Sequence, residues 1–232
     1  TGHTERVSLK SDGSQASGDW GTFFPSPAVS YDGRYVAFCS GASDLVPYDG
    51  NLRDDIYVRD RLTGQTERVS VATDGAEADG HSTYLDISAD GRYVVFDSLA
   101  SNLVPQETHG LDVYVHDRVT GETELISTSS DFTVDSVAWF PAISSDGRYV
   151  TFQSSHRDLV PDDTNGLQDV FVRDRVTGET TRVSVSSDGS QANGESASPA
   201  ISAEGRYVAF DSSATNLVPN DTNDLVDVFL HD

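Results

Sequence analysis

With 38 acidic residues against 15 basic ones in 232, the chain carries a formal charge of −23. Phosphate binding needs clustered lysine and arginine, so nucleic acid and anionic membrane surfaces are excluded as partners, while cations and basic protein patches are favoured. No stretch approaches the roughly 20 apolar residues of a membrane helix, so no membrane insertion is expected.

Residues 1–9, TGHTERVSL, hold a Thr-Gly turn and a strand-like run that recurs at 63–71 and 177–185. The motif DG-x-x-A-x-G follows at 12–18 and returns at 74–80 and 188–194, where its glycines suggest positive-φ positions in crossover loops. Next comes D/E-G-R-Y-V-x-F, as DGRYVAF from Asp32, DGRYVVF from Asp90, DGRYVTF from Asp146 and EGRYVAF from Glu204. Its glycines, Gly33, Gly91, Gly147 and Gly205, are 58, 56 and 58 residues apart. A period of that length is one supersecondary unit that cannot bury its apolar face alone, so the copies must pack on each other.

The second copy shows the parts in order: LDIS from Leu85, an ADGR turn, YVVF from Tyr93, a long loop with Leu-Val-Pro, DVYVHD from Asp112, a turn, and TELIS from Thr123. Short alternating or β-branched runs bounded by Asp-Gly and Thr-Gly turns read as hairpin strands. No window keeps apolar residues at helical spacing, which makes the chain all-β. Four-stranded antiparallel sheets in tandem point to a β-propeller of four blades, at about 25–71, 84–128, 140–185 and 198–232 within one domain over 1–232. The last copy ends in a third strand, DVFLHD at 227–232, and residues 1–9 would supply its fourth strand and close the ring. The alternative is half of an eight-bladed propeller formed by two chains, so the expected state is a monomer or a head-to-tail homodimer.

The D-G-R-Y-V-A-F hairpin, followed by D-V-F-V-x-D and T-G-x-T-x-R-V-S, resembles the TolB-like, WD-like β-propeller repeat of bacterial proteins over essentially the whole chain. The resemblance implies six to eight blades and a role as a protein-binding platform or, in some members, a hydrolase or lyase. This chain departs in having four copies with unusually long second loops. A secreted or periplasmic bacterial protein is expected, as a mature or excised product, since there is no signal-peptide pattern and no methionine. The lone Cys39 reads as a half-buried strand thiol.

The two turns of each blade are short, whereas the second-to-third loop and the crossover are long and share the opposite face, the candidate working face. After Leu-Val-Pro the long loops carry Asp49, Asn51 and Asp55; Asp163, Asn165 and Asp169; and Asp221, Asn223 and Asp227. Such oxygen donors suit Ca²⁺, and they are equally the ordinary residues of tight turns. The second copy, with Glu107 and His109, is expected to lack an ion. Before the inner strands the copies differ: DWGTFF brings Trp20, Phe23 and Phe24, HSTY brings His81 and Tyr84, VAWF brings Trp139 and Phe140, and ESAS begins at Glu195. Aromatics at a channel mouth either stack on a sugar or peptide side chain or pack between blades. The fixed tyrosines, phenylalanines and Arg34, Arg92, Arg148 and Arg206 read as architecture, the arginines pairing with carboxylates such as Asp60 and Asp117. No hydrolase or P-loop motif is present. The function expected is therefore a module binding a protein or glycan, with structural calcium as an option. A metal-assisted hydrolase or lyase would need His81, His109 or His156 to meet carboxylates at the channel mouth. A portion of a larger propeller is the third reading.

Overall fold

The computed structural model describes residues 2–17, 27–106, 110–128, 136–223 and 225–232. Every regular element in them is a strand. Blade one comprises β1 (Ala28–Val29), β2 (Tyr35–Ser40), β3 (Asp55–Asp60) and β4 (Gln65–Arg68). Blade two holds β5 (Ser82–Ile87), β6 (Tyr93–Ser98), β7 (Gly110–Asp117) and β8 (Thr123–Leu125). Blade three holds β9 (Ser136–Ile143), β10 (Tyr149–Ser154), β11 (Asp169–Asp174) and β12 (Glu179–Arg182). Blade four has β13 (Ser196–Ile201), β14 (Val208–Ser212) and β15 (Asp227–His231). Neighbouring strands within a blade are antiparallel, and Gly110 and Leu111 add a short parallel pairing to Ser136 and Val137 between blades two and three.

The cores lie between blades. Alternate residues of each strand point to opposite faces, so Ala37, Ile56 and Val58 of blade one meet Leu85, Val94 and Phe96 of blade two. Val95, Val113 and Val115 likewise meet Val150, Phe152 and Phe171 across the next gap. The leucine of Leu-Val-Pro is buried in every copy, as Leu45, Leu103, Leu159 and Leu217. Cys39 is buried in the first of these layers, and that burial pushes its thiol up to about 12.

At the short-turn end each blade grips the next. Tyr31 N donates to Ala89 O, Ala89 N to Ser145 O and Ser145 N to Ala203 O, at 2.9, 3.0 and 2.9 Å. Tyr35, Tyr93 and Tyr149 each lie against the turn glycine of the following blade, Gly91, Gly147 and Gly205. The guanidinium of Arg118 stands 4.3 Å from the Tyr35 ring, ion-pairs with Glu67 and donates to Gly91 O. Arg175 repeats this with Tyr93, Glu124 and Gly147. Arg34, Arg92, Arg148 and Arg206 form two-pronged pairs with Asp60, Asp117, Asp174 and Asp232, as their repeated register predicts. Those hydrogen bonds hold the carboxyls of Asp60, Asp117 and Asp174 well below the usual carboxylate range.

Residues 2–9 do not pair with β15 among the described contacts. They lie along blade one, where Thr66 Oγ1 donates to Leu9 O at 2.5 Å and Arg61 ion-pairs with Glu5. These contacts repeat those that blade one's own fourth-strand segment makes to blade two, through Thr123 to Val71 and Arg118 to Glu67. The segment thus sits where a preceding blade's fourth strand belongs. Among the described residues β15 pairs only with β14, and Val228 and Leu230 on one of its faces are 75% and 69% exposed. In the crossovers, Gly13, Gly75 and Gly189 do take positive φ. Gly80 and Gly194 are needed for a different reason, because a Cβ there would strike the backbone of Leu99 or Ser213.

A Cβ at Gly91 would overlap the Tyr35 ring and would sit on a backbone with φ of +74°. Gly91→Ala should therefore destabilise the protein by about 2–4 kcal/mol, seen as a lower denaturant midpoint.

Candidate functional site

The working face is built from each blade's long loop and the crossover to the next blade. Asn51 Nδ2 donates to Ala78 O at 2.7 Å, and Gly50 N donates to Glu77. His81 is a bridge of the same kind. Its Nε2 lies 3.3 Å from Arg53 Nη1, while its Nδ1 lies 3.0 Å from Asp54 Oδ2 and 3.1 Å from the backbone N of the same residue, so the ring ties the long loop to the crossover whichever nitrogen holds the proton. His156 is buried, and its Nδ1 accepts from Asp158 N at 3.1 Å within its own loop. His109 lies outside the described residues. Among the described residues no group of three or more His, Cys, Asp and Glu is arranged to hold a metal ion.

The expected calcium ligands fall into three separate sets, one per blade. In blade one Arg68 Nη1 lies 3.2 Å from Asp55, 3.6 Å from Asp49 and 2.9 Å from Glu77. In blade three Arg182 Nη1 lies 3.2 Å from Asp163 and 3.5 Å from Asp169. A guanidinium thus supplies the positive charge at the place anticipated for an ion. Asn51, Asn165 and Asn223 each donate to their blade's Asp55, Asp169 or Asp227, at 3.3, 2.9 and 3.0 Å. Blade two, where Leu125 replaces the arginine, is also the copy whose loop carries Glu107 and His109 instead of Asp and Asn. Across blades one to three the arginine and the Asp-x-Asn pair come and go together.

The inner strands break the repeat. Three of them shift register near their loop ends, between Ser82 and Leu85, opposite Thr151 and Gln153, and between Ala197 and Ala200. Phe140 and Ser198, each followed by proline, take φ of 53° and 54° there. A bulge re-aims a side chain, and the Phe140 ring comes to 4.1 Å from Tyr84 across the blade boundary at a tilt of 53°. Both rings are half-buried, as is Trp139 beside them, opposite Gln153. Glu195 is exposed, and its carbonyl accepts from Ser213 N at 3.0 Å. Trp20, Phe23 and Phe24 lie outside the described residues.

Two carboxylates of blade two hold the bulged strand of blade three. Asp97 Oδ2 accepts from Phe140 N at 3.4 Å, and Asp86 Oδ2 accepts from Ile143 N at 3.0 Å. Thr83 Oγ1 donates to the other oxygen of Asp97 at 2.5 Å. Gln153 plays the Asp97 part for blade four, accepting from Ser198 N at 2.7 Å. Burial pushes the Asp97 carboxyl up to about 7 and raises that of Asp86. Asp97 is fully buried, so it acts on the Phe140 backbone and not on a ligand. None of these supports was singled out in the sequence. The signal was the column after each Tyr-Val-x-Phe, which reads Cys39, Asp97, Gln153 and Asp211.

Successive antiparallel sheets whose main apolar layers lie between them define a β-propeller. No family model matches the chain. A dipeptidyl-peptidase 5 of Porphyromonas gingivalis is 26% identical over 112 residues, 48% of this chain and 15% of that protein. The β-propeller domain of the Trilobed protease from Pyrococcus furiosus overlays with a TM-score of 0.53 at 14% identity, covering 90% of this chain and 55% of the other. An oligogalacturonate lyase from Vibrio parahaemolyticus gives 0.51 at 15% identity, over 90% and 52%. TolB from Acinetobacter baumannii gives 0.48 at 19% identity, over 83% and 41%. The chain thus has a propeller fold similar to that of the Pyrococcus furiosus domain and the Vibrio parahaemolyticus lyase, and spans about half the length of those solved structures.

Asp97 makes stability pH-dependent. Between about pH 4 and pH 7 the folded state keeps a proton that the unfolded chain has lost, so this group's contribution falls as pH rises through that window. Asp97→Asn should flatten that fall, raising the melting midpoint at pH 8 by more than at pH 4.

Proposed function

We propose that the chain is a secreted or periplasmic binding module that takes a protein or glycan at the channel mouth of its long-loop face. The observation that carries this is the Tyr84–Phe140 pair with Trp139. It departs from the four-fold pattern kept by the stacked pairs Phe38–Tyr57, Phe96–Tyr114, Phe152–Phe171 and Phe210–Phe229. Core packing repeats with the blades, whereas recognition of an asymmetric ligand needs side chains that do not. Half-buried rings beside serine and carboxylate groups suit a sugar face or an apolar peptide side chain. Printed arrays of oligosaccharides and of peptides test it. Trp139→Ala and Phe140→Ala should each lower the strongest array signal at least tenfold while the melting midpoint stays within a few degrees. Unchanged signal in both variants, or no signal from the unaltered protein, sinks the reading.

Calcium is the smaller part of the proposal and is confined to the fourth copy. There Asp221, Asn223 and Asp227 have no guanidinium beside them among the described residues. An ion held only by the folded state stabilises it by RT ln(1 + [L]/Kd). Millimolar calcium against chelator should then raise the melting midpoint by a few degrees, and no shift removes calcium from the account.

A further inference from the structure

Asp55, Asp60, Asp117 and Asp169 are buried, and each faces a guanidinium, from Arg68, Arg34, Arg92 and Arg182. Asp97 is equally buried but is held by neutral donors, the hydroxyl of Thr83 and the backbone of Thr83, Tyr84 and Phe140. A buried carboxylate without a cation is costly to ionise. The strands around it, β5, β6, β7, β9 and β10, carry no lysine or arginine. On β7 the residues sharing its face are Val113 and Val115, β9 has no titratable residue, and β10 has only Tyr149, which lies against Gly205. The titratable groups near it are Asp86 and Tyr84 on β5, Cys39, whose Sγ donates to Ser82 O, and His81 with Asp54 just before β5.

The donors to Asp97 also carry the rings of the channel mouth. Tyr84 follows Thr83, and Phe140 gives its own N–H, so one carboxylate supports the backbones of both half-buried rings, with Trp139 beside them. Ring faces attract cations. Elsewhere this chain uses that contact repeatedly: Arg34, Arg92 and Arg148 lie 4.7, 4.8 and 4.8 Å from their neighbouring tyrosine rings, and Arg118 and Arg175 lie 4.3 Å from Tyr35 and Tyr93. Among the described residues no guanidinium stands over Tyr84, Trp139 or Phe140. On the long loops and crossovers described, the lysines and arginines are Lys10, Arg53 and Arg157, far outnumbered by carboxylates such as Asp44, Glu77 and Glu195.

We propose that Tyr84, Trp139 and Phe140 take a lysine or arginine side chain of a basic peptide, its cation resting on the rings above the Asp97 carboxylate. The proposal rests on the channel mouth being the binding site, and narrows its ligand from a protein or glycan to a cationic peptide. The bound cation supplies the counter-charge that the packed strands lack, so binding favours ionised Asp97 and releases its proton. Burial holds the free carboxyl up to about 7, so affinity should rise with pH through that value and level off above it. Gln153 shows that an amide can do the mechanical part, since its Oε1 accepts from Ser198 N at 2.7 Å at the corresponding bulge. Asp97→Asn therefore keeps the support and removes the charge.

The test uses short peptides centred on arginine or lysine, each beside a neutral twin centred on citrulline or acetyl-lysine, in high salt to screen the chain's general negative charge. The basic members should bind about tenfold more tightly than their twins. Affinity for the strongest of them should rise about tenfold from pH 6 to pH 8. Asp97→Asn should lose about tenfold in affinity at pH 8 and show a flat pH profile, without a lower melting midpoint. This variant changes a net charge of −23 by one, so such a loss is local and not a weakening of general attraction. Equal binding of basic and neutral twins overturns the proposal, as does undiminished binding by Asp97→Asn or a neutral glycan as the strongest ligand. Silence from peptides and glycans alike removes the channel mouth as a binding site, and the proposal with it.

Discussion

No blade of this protein has an interior of its own, and the structure depends on that. Neighbouring sheets cover one another's faces, so the main apolar layers that drive folding lie where two blades meet. The polar contacts follow the same logic. Tyr35, Tyr93 and Tyr149 reach forward onto the next blade's glycine, while Arg118 and Arg175 reach back over a tyrosine and to the preceding fourth-strand glutamate. Stability is therefore a property of junctions.

That frame explains why the channel mouth can vary. The phenylalanine and leucine positions that fill junctions are fixed by packing, whereas the residues before each inner strand lie at the loop end and are free to differ. Phe140 exploits this freedom through a bulge that costs backbone strain and is secured from the neighbouring blade by Asp97 and Asp86. A site of that design is only as ordered as the junction beneath it.

Much of the fold was legible because its signals are local. Asp-Gly and Thr-Gly turns bound alternating runs, and the second to third strands begin and end close to where those turns put them. The innermost strands were placed less well: β5 starts at Ser82 and β9 at Ser136, ahead of the expected 84 and 140, because their early residues pair through a bulge that alternation does not describe. Carboxylates after Leu-Val-Pro read equally as turn formers or ion ligands, since their arginine partners lie one or two strands away. The covariation that identifies the pairing, Leu125 with the altered second loop, was present in the letters but only has meaning once the fourth strand is seen beside the third. Ring size was not legible, because every junction has the same local pattern whatever the total.

The tyrosine wedged against the next blade's glycine has a consequence at a larger scale. The contact recurs at the same register in three successive junctions, so a change at one of these glycines acts on both blades that meet there. A side chain at Gly91, Gly147 or Gly205 would overlap the tyrosine ring of the preceding blade, and the two sheets could meet only after the ring or the backbone had moved. The absent side chain at these glycines is what lets one blade lie against the next.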